Sequence, residues 1–316
     1  MNVDILLQQI VNGLMLGGIY VMVAVAFTLI IGMLNFLNFT IPPLFMVSTM
    51  MMWATMQGGF GKAFDRALTS LVGVNGKLIA GIVMALVVAA LLSLVIERFT
   101  YRYMKAKYGD ATEHAIPLVS SLGFLIVFEH LVIGRWGSDS LTITSPFGNA
   151  SLHIGNIQIS VPQLTSLVLS LAIVFALSIM LKRTRLGRAL RSIAEAPDTA
   201  ALMGVEVRRI VPVVYVITGL LCALAGVLFT INYTTVDAYV GDKVATVAIA
   251  GMVLGGLGNV WGAIVGGLFV GVLEVLSIYL FGSSVEKVPI WGLLLLILII
   301  RPTGLFGHTA IGKGKF

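Results

Sequence analysis

The sequence has few of the residues that build soluble surfaces, disulfides or metal sites. Only 11% of its 316 residues are charged, and it contains one cysteine and four histidines. The single cysteine, Cys222, excludes an internal disulfide and a cysteine-clustered metal centre. The histidines are scattered, and no serine, histidine and acid are ordered into a triad. These absences predict neither a metal site nor a catalytic centre.

Basic residues are absent from the start of the chain. The first Lys or Arg is Lys62, so the opening apolar run lacks the basic region of a cleavable signal peptide, and we expect it to remain in the protein. The net charge of +6 comes mostly from residues at the ends of apolar runs. Membrane topology explains that distribution better than nucleic-acid binding does.

Apolar sequence is what the chain has in abundance. Hydrophobic residues make up 58% of it and the mean hydropathy is +1.03, which excludes a soluble domain with a largely polar surface. Apolar stretches of about 20 residues, the length that crosses a bilayer core, recur along the chain. The predicted fold is all-α: a single transmembrane domain over residues 1–316, a polytopic helix bundle of about eight or nine spans with broken or re-entrant segments.

The predicted spans follow the apolar runs. The first run, Ile5 to Met56, is too long for one crossing and is interrupted near its middle, so it predicts two crossings, or two and a broken half. The later runs are Leu78 to Ile96, Ala115 to Ile133, Leu164 to Leu181, Ile210 to Ile231, a Gly-rich region from Val244 to Phe281, and Val288 to Ile300. The Gly-rich region either crosses twice or dips in and returns, with GGLGNVWGA as its turning point.

Charge predicts the orientation of these spans. Residues 182–212 carry seven of the chain's twenty Lys and Arg, and more follow Ile96, whereas residues 134–161 hold only Arg135. By the positive-inside bias, 182–212 is cytoplasmic, 134–161 is external, and the basic C-terminus is cytoplasmic. Alternation in SLHIGNIQISV predicts a small hairpin in the external loop.

The cytoplasmic loop contains a predicted short helix. Asp198 can cap a helix from Thr199 to Met203, and Gly204 can end it. A small polar loop with its own capped helix is typical of a docking site for a cytoplasmic partner. The alternative is an ordinary positively charged loop.

Two interruptions of the apolar runs are candidates for lining a translocation path. The first is polar and ends in two prolines, and a plain connection between two spans explains it equally well. The second is glycine-rich, and its glycines either allow close helix packing or break a helix at membrane depth, where such breaks often mark substrate paths. The candidate residues are Asn35, Asn38, Thr40, Gly255, Gly256 and Gly258.

Carboxylates within predicted spans are a further candidate. Glu129 and Glu274 lie inside apolar runs, where a charge is costly, so both are expected to face protein or water. Glu129 with neighbouring His130 leaves proton transfer as an alternative near the external end. Glu274 is assigned to the path.

Several motifs are shared with one family of membrane proteins. They are GMLNF at Gly32 to Phe36, IER with Tyr101, SSLG at Ser120 to Gly123, RTRLGRALR with AALMG, VLGGLGNVWGAIVGGLFVGVLE, and RPTGLFG. With these motifs the chain resembles, over nearly its whole length, the permease subunits of bacterial ABC importers for branched-chain amino acids. The most specific segments are Arg188 to Gly204 and Leu254 to Glu274.

The resemblance implies a non-catalytic permease subunit of the bacterial inner membrane, with no cofactor of its own. ATP and Mg would bind to two cytoplasmic ABC ATPase subunits, a second homologous permease would complete a heterodimer, and an external substrate-binding protein would deliver the solute. The short helix would be the coupling helix, seated in an ATPase groove. The residues assigned to coupling are Arg188, Arg191, Glu195, Asp198, Ala200, Ala201 and Gly204, and the path would also pass Ser120 and Ser121.

Two departures from the family pattern leave the solute open. Leu37, Asn38 and Phe39 stand where the family has a small residue, His and Gly, and Glu129-His130 replaces uncharged amides. Importers of urea, short amides and other amino acids have related permeases. A self-contained secondary transporter or channel is an alternative of another class, because broken segments would serve it equally well.

Overall fold

The computed structural model describes residues 3–34, 37–103, 115–143, 151–154, 157–233 and 235–307. Within them the chain is predominantly helical. The α-helices are α1 (Val3–Leu34), α2 (Ile41–Gln57), α3 (Lys62–Ile96), α4 (Ala115–Trp136), α5 (Val161–Arg183), α6 (Arg185–Glu195), α7 (Pro197–Leu202), α8 (Val207–Asn232), α9 (Val240–Gly255), α10 (Val260–Phe281) and α11 (Val288–Ile300). A π-helical segment, Glu97–Tyr103, extends α3, and a 3-10 turn, Ser283–Val285, precedes α11. The strands are β1 (Leu141–Thr142), β2 (Ser151–Ile154), β3 (Ile157–Ser160) and β4 (Thr235–Val236).

Seven helical segments of the described chain are long and apolar enough to cross a membrane. They lie in α1, α3, α4, α5, α8, α10 and α11. Helices α2 and α9 are also apolar but have only 17 and 16 residues. The predicted polytopic helical bundle is confirmed, and the predicted number of spans is roughly consistent with these helices.

Prolines mark the starts of several helices. Pro42 and Pro43 lie in the first turn of α2, and Pro162 and Pro197 lie in the first turns of α5 and α7. Proline suits this position because its fixed φ is helical and its missing N–H would have no intrahelical partner there. The long first apolar run is therefore two helices, and the second starts at its prolines. Of the two, α1 is long enough to count as a candidate span.

The described chain divides into two compact units. The first unit comprises Met1–Leu34, Asn149–Ala194 and Val244–Phe316. At its centre α1 and α10 pack through glycines: a Cβ on Gly13 would lie 2.5 Å from Val272 Cα, and one on Gly271 would lie 2.5 Å from Gly17 Cα. Only glycine allows backbones to approach this closely. The close-packing role predicted for the small residues of α10 is confirmed at this contact.

These contacts fix the helix directions within the first unit. Gly13 meets Val272 and Gly17 meets Leu268, so α1 and α10 are antiparallel. Gly18 of α1 meets Ser170 of α5, and Gln8 meets Gln158 just before α5, so α1 and α5 run in the same direction. The Val3 end of α1 therefore shares one end of the unit with the β2–β3 hairpin and the Phe281 end of α10.

The β2–β3 hairpin confirms the hairpin predicted from alternation. Ser151 pairs with Ser160, and Ile154 pairs with Ile157. The amide of Gln8 fastens this hairpin to α1: its Nε2 donates to the Gln158 carbonyl at 2.8 Å, and its Oε1 accepts from the Gln158 N–H at 2.8 Å. One side chain thus pairs with β3 as a neighbouring strand would.

The second unit comprises Asn35–Gly148 and Glu195–Lys243. Its core is α2, most of whose residues are buried, packed against α3 and α8. Glycine again sets the spacing, since a Cβ on Gly226 of α8 would lie 2.9 Å from the Phe45 carbonyl oxygen. The rings of Phe45 and Phe229 meet edge to face at 5.7 Å. A short antiparallel ladder pairs β1 with β4.

The short helix of the 182–212 loop starts earlier than predicted. It begins at Pro197, so Ala196 occupies the N-cap position and Asp198 lies inside the first turn. The predicted capping role of Asp198 is therefore wrong, because proline at the first helical position initiates the helix instead. The predicted end is confirmed: Met203 is the C-cap residue and Gly204 follows it with φ +87°.

Candidate functional site

Helix α6, in the first part of the 182–212 loop, is fixed to the last turn of α5. A Cβ on Gly187 would lie 1.8 Å from the Leu181 carbonyl oxygen, and Arg191 Nη1 donates to that oxygen at 2.8 Å. The Gly187 N–H also donates to Thr184 Oγ1. Because carbonyls at a helix end need partners from outside the helix, Arg191 caps α5 as well as belonging to α6. Helix α6 is therefore anchored to the end of α5.

Helix α6 is amphipathic. Its apolar residues Leu190 and Ile193 are buried, whereas its charged residues Arg188, Arg191 and Glu195 are exposed. An apolar stripe that is buried beside a charged face is the pattern of a helix seated on the protein surface. Three of the charged residues assigned to coupling from the sequence, Arg188, Arg191 and Glu195, are thus accessible to a partner.

Helix α7 ends in a geometry that requires glycine. The Gly204 N–H donates to Ala201 O and the Val205 N–H donates to Ala200 O, both at 3.0 Å. This pair of bonds is a Schellman motif, in which the residue after the C-cap takes positive φ. Gly204 has φ +87° and a Cβ there would meet nothing within 4 Å. The position therefore requires conformational freedom rather than space.

The residues that α7 presents are large and apolar. Leu202 is 88% exposed and Met203 is 81% exposed, whereas Ala200 is only 4% exposed. Of the small residues selected from the sequence, Ala200 is buried, whereas Ala201 and Gly204 are exposed. The sequence reasoning missed the two large exposed residues. The sequence did contain a signal for Leu202 and Met203, because two adjacent large apolar residues are unusual in a loop this polar. An exposed apolar pair of this kind is a candidate for a contact with another molecule.

Asn38 forms a closed polar network in the second unit. It is fully buried; its Nδ2 donates to the Tyr215 hydroxyl at 3.1 Å, and its Oδ1 accepts from Thr40 N at 3.0 Å and Thr40 Oγ1 at 2.7 Å. The neighbouring Phe39 N–H donates to Ser121 Oγ at 3.1 Å. The network joins the start of α2 to α8 and α4. Three of the predicted path residues, Asn38, Thr40 and Ser121, therefore come together.

The sequence also assigned Ser120 and Asn35 to the path. Ser120 is half-buried next to Ser121 on α4, and Asn35 lies outside the described residues.

Glu129 lies at a small cavity in the second unit. Pro42 and Pro43 of α2 line this cavity, of about 10 Å³, together with Glu129 and Asp242. Such a volume holds about one water. Glu129 thus faces a small cavity that it shares with Asp242 and mostly apolar residues, in agreement with the prediction that it faces protein or water.

The glycine-rich interruption is a tight turn between α9 and α10. Gly256 has φ +111° and Gly258 has φ +80°, and a Cβ on Gly255 would lie 2.0 Å from the Gly262 carbonyl oxygen. These glycines are needed for the turn and for the close approach of the two helices. The turn is also where the chain after α11 returns, since a Cβ on Gly256 would lie 2.5 Å from Gly307 N.

Glu274 is a buried carboxylate on α10. It is 7% exposed and hydrogen-bonds the side chain of Tyr20 on α1. Its Oε2 is buried without a hydrogen-bond partner in the described part of the chain. A buried ionisable group in a membrane span is by default a candidate for function. No sequence pattern signals its partner, because Tyr20 lies on a helix at the other end of the chain.

These features define a class of protein: a multi-pass helical membrane protein with an interrupted apolar helix and an exposed apolar pair on a basic loop. The sequence matches the family described as branched-chain amino acid transport system, permease component, over residues 9–301. The chain belongs to this family, and is therefore a multi-pass transport component of the inner membrane.

Characterised relatives are similar over almost the full length. The chain is 29% identical over 316 residues to the high-affinity branched-chain amino acid transport system permease protein BraD of Pseudomonas aeruginosa, covering 97% of both chains. It is 29% identical over 314 residues to the corresponding protein LivH of Escherichia coli, again covering 97% of both. It is 30% identical over 200 residues, 58% of each chain, to the fructose import permease protein FruG of Bifidobacterium longum. No solved structure matches the chain.

Proposed function

We propose that the chain is one of two permease subunits of an ATP-driven importer that moves branched-chain or related apolar amino acids across the bacterial inner membrane. The exposed pair Leu202 and Met203 carries the proposal, because a membrane subunit without its own energy source needs a surface on which an ATPase can act. The family and the names of the full-length relatives support the substrate class. The second permease would be a homologue, and an external binding protein would deliver the solute.

The coupling surface is proposed to consist of α7 with the charged face of α6. Leu202 and Met203 would enter an apolar groove of the ATPase, and Arg188 and Arg191 would pair with acidic groups at its rim. The assigned set remains Arg188, Arg191, Glu195, Asp198, Ala200, Ala201 and Gly204. Apolar anchors surrounded by charged residues are the usual arrangement of a protein interface.

A contiguous route supports transmission from α7 to the path in the second unit. Helix α7 contacts the start of α8, and α8 carries Tyr215, whose hydroxyl accepts from Asn38 at the start of α2. A push on α7 would therefore shift α8 and the polar network that it shares with α2. The residues proposed for the path remain Asn35, Asn38, Thr40, Ser120 and Ser121 in the second unit, and Gly255, Gly256, Gly258 and Glu274 in the first.

The test of this function is the association with ATPase subunits. Leu202→Asp and Met203→Asp place a charge where an apolar anchor is expected, so each should weaken co-purification of the ATPase in mild detergent by about tenfold or more. Leucine uptake by the reconstituted complex should fall in parallel. Val285→Asp, the same change in the exposed turn before α11, is the matched control and should leave both unchanged.

Two results would contradict the proposal. One is an unchanged yield of ATPase with both α7 variants. The other is leucine movement down an ion gradient by the isolated chain in liposomes, which would favour a secondary transporter.

One observation makes sugars a second candidate class of solute. The partial similarity to a fructose import permease shows that related permeases serve chemically different solutes. Uptake assays with leucine, urea, short amides and fructose in parallel would separate these candidates, and we expect leucine to be preferred.

A further inference from the structure

A cluster of side chains in the first unit connects the cytoplasmic loop to the turn between α9 and α10. Lys182 Nζ lies 5.3 Å from the ring centroid of Trp261, the second residue of α10. Phe175, two turns earlier on α5, meets the same indole edge to face at 6.2 Å. The last two turns of α5 thus hold the first turn of α10 through one aromatic ring.

Asn259 joins the same turn of α10 to the chain after α11. Its Oδ1 accepts from Trp261 N at 3.0 Å and from Gly262 N at 3.5 Å, which caps α10. Its Nδ2 donates to the Phe306 carbonyl at 2.9 Å. One amide therefore has two separable roles: the oxygen starts a helix, and the nitrogen holds the C-terminal segment.

The C-terminal segment itself completes the end of α9. Leu305 N donates to Leu254 O at 2.9 Å and Phe306 N donates to Gly255 O at 3.0 Å. The last carbonyls of a helix have no partner within the helix, and here residues 305 and 306 supply the missing donors. Gly304, with φ +78°, comes so close that a Cβ would lie 2.6 Å from Val253 O. Residues 302–307 thus form a latch on the turn between α9 and α10.

A short series of contacts connects the 182–212 loop to the turn that the latch holds. Helix α6 is tied to Leu181 by Gly187 and Arg191, and the next residue, Lys182, lies on Trp261. Backbone contacts between α9 and α10 are so close that the turn cannot bend without moving both helices. A displacement of α6 therefore has a short packed route to the turn.

We infer that Trp261 and Asn259 are positioning residues that transmit displacement of α6 to the turn between α9 and α10, which the C-terminal latch holds in place. This inference rests on the proposed function, since it requires an ATPase that moves the cytoplasmic loop. It adds a second route of transmission, within the first unit, that does not involve α7.

The first experiment changes the aromatic contact in the reconstituted importer. Trp261→Leu removes the ring and keeps apolar volume, so the ATPase should still co-purify while the ATP hydrolysed per solute transported rises about three- to tenfold. Trp261→Phe keeps a ring for Lys182 and should restore most of the coupling. Trp291→Leu is the matched control, because Trp291 on α11 is exposed to the same 41%; its ratio should stay at the wild-type value. A wild-type ratio in Trp261→Leu would overturn the inference.

The second experiment separates the two roles of Asn259. Asn259→Asp keeps the acceptor that caps α10 but replaces the donor to Phe306 with an oxygen, whereas Asn259→Ala removes both. In a Phe306→Cys background, the latch can be followed by maleimide labelling, because the natural Cys222 is buried. We expect Asn259→Asp to keep its helical content, label about tenfold faster and lose coupling. Unchanged labelling and coupling in Asn259→Asp would contradict the latch.

The two proposals fail in distinguishable ways. If the wild-type chain does not retain ATPase subunits, the proposed function fails. If it retains them and Trp261→Leu and Asn259→Asp couple normally, only the present inference fails.

Discussion

The buried polar side chains of this membrane protein differ in how completely they are paired. Asn38 uses its amide nitrogen and oxygen within one network. Hydrogen bonds within the fold therefore explain why this side chain is buried. Glu274 has one oxygen buried without a partner among the described residues. A satisfied group stabilises the fold, whereas an unsatisfied one is costly and calls for another explanation. Glu274 is therefore the stronger of the two as a path residue.

Replacing Asn38 should affect stability before transport. Asn38→Leu leaves the backbone N–H of Thr40 buried without its acceptor and removes the bond to Tyr215, at a cost of about 1–3 kcal/mol per unpaired group. Tyr215→Phe removes only the hydroxyl and should cost less. A double-mutant cycle of thermal unfolding in detergent measures the coupling. Equal stability of Asn38→Leu and wild type would show that the network contributes nothing.

Gly204 allows a clean test of the coupling loop. A side chain there meets no neighbour, and a residue other than glycine in left-handed backbone costs about 1–2 kcal/mol. Gly204→Trp should therefore insert normally and abolish uptake and ATPase coupling, because it alters the end of α7. Gly137→Trp is the matched control, since Gly137 has φ +89° and also meets nothing within 4 Å. Normal uptake by Gly204→Trp would count against docking at α7.

At the level of helices and strands, the sequence predicted what local patterns encode. Apolar runs located the spans, and the run from Val288 to Ile300 matches α11 at both ends. Alternation located the β2–β3 hairpin. Glycine located the end of α7, whereas the start was missed because proline was not considered as the first residue.

Contacts between distant residues were not predictable in this way. Gln8 with Gln158, Asn38 with Tyr215 and Asn259 with Phe306 join segments whose periodicity carries no information about their partners. The exposure of Leu202 and Met203 was missed for a different reason. Apolar residues are expected to be buried, and only the structure shows the side of α7 on which they lie.

The α9–α10 hairpin depends on glycine at its closest approach. Gly255→Ala should prevent the native hairpin, because its Cβ would lie 2.0 Å from a backbone oxygen that cannot move aside. We expect loss of folded protein in detergent, seen as aggregation on size exclusion. Gly292→Ala on α11 is the control: its Cβ meets nothing within 4 Å, and alanine favours helix by about 1 kcal/mol. A monodisperse, thermally stable Gly255→Ala protein would refute the close approach.

For the whole molecule, the two units share one principle of construction. In each, a helix of the 182–212 loop leads by short contacts to an interrupted helix: α6 to the turn between α9 and α10, and α7 through α8 to the start of α2. Interrupted helices in membranes persist only where protein or a cavity satisfies their backbone. Under the proposed function, force applied to the 182–212 loop would act through α6 on the turn between α9 and α10, and through α7 on the start of α2.

The orientation of the chain in the membrane follows from joining charge to helix direction. Basic residues gather at the Arg183 end of α5, so we expect that end to be cytoplasmic. Because α1 runs in the same direction as α5, the N-terminal end of α1 and the β2–β3 hairpin should then be external. Because the natural Cys222 is buried, a single introduced cysteine shows on which side of the membrane its position lies. Ser151→Cys and Asp4→Cys should react with an impermeant maleimide in intact spheroplasts, and Arg188→Cys only in inverted vesicles. The reverse pattern would invert the proposed topology, whereas labelling of Asp4→Cys and Ser151→Cys from opposite sides would contradict the pairing of Gln8 with β3.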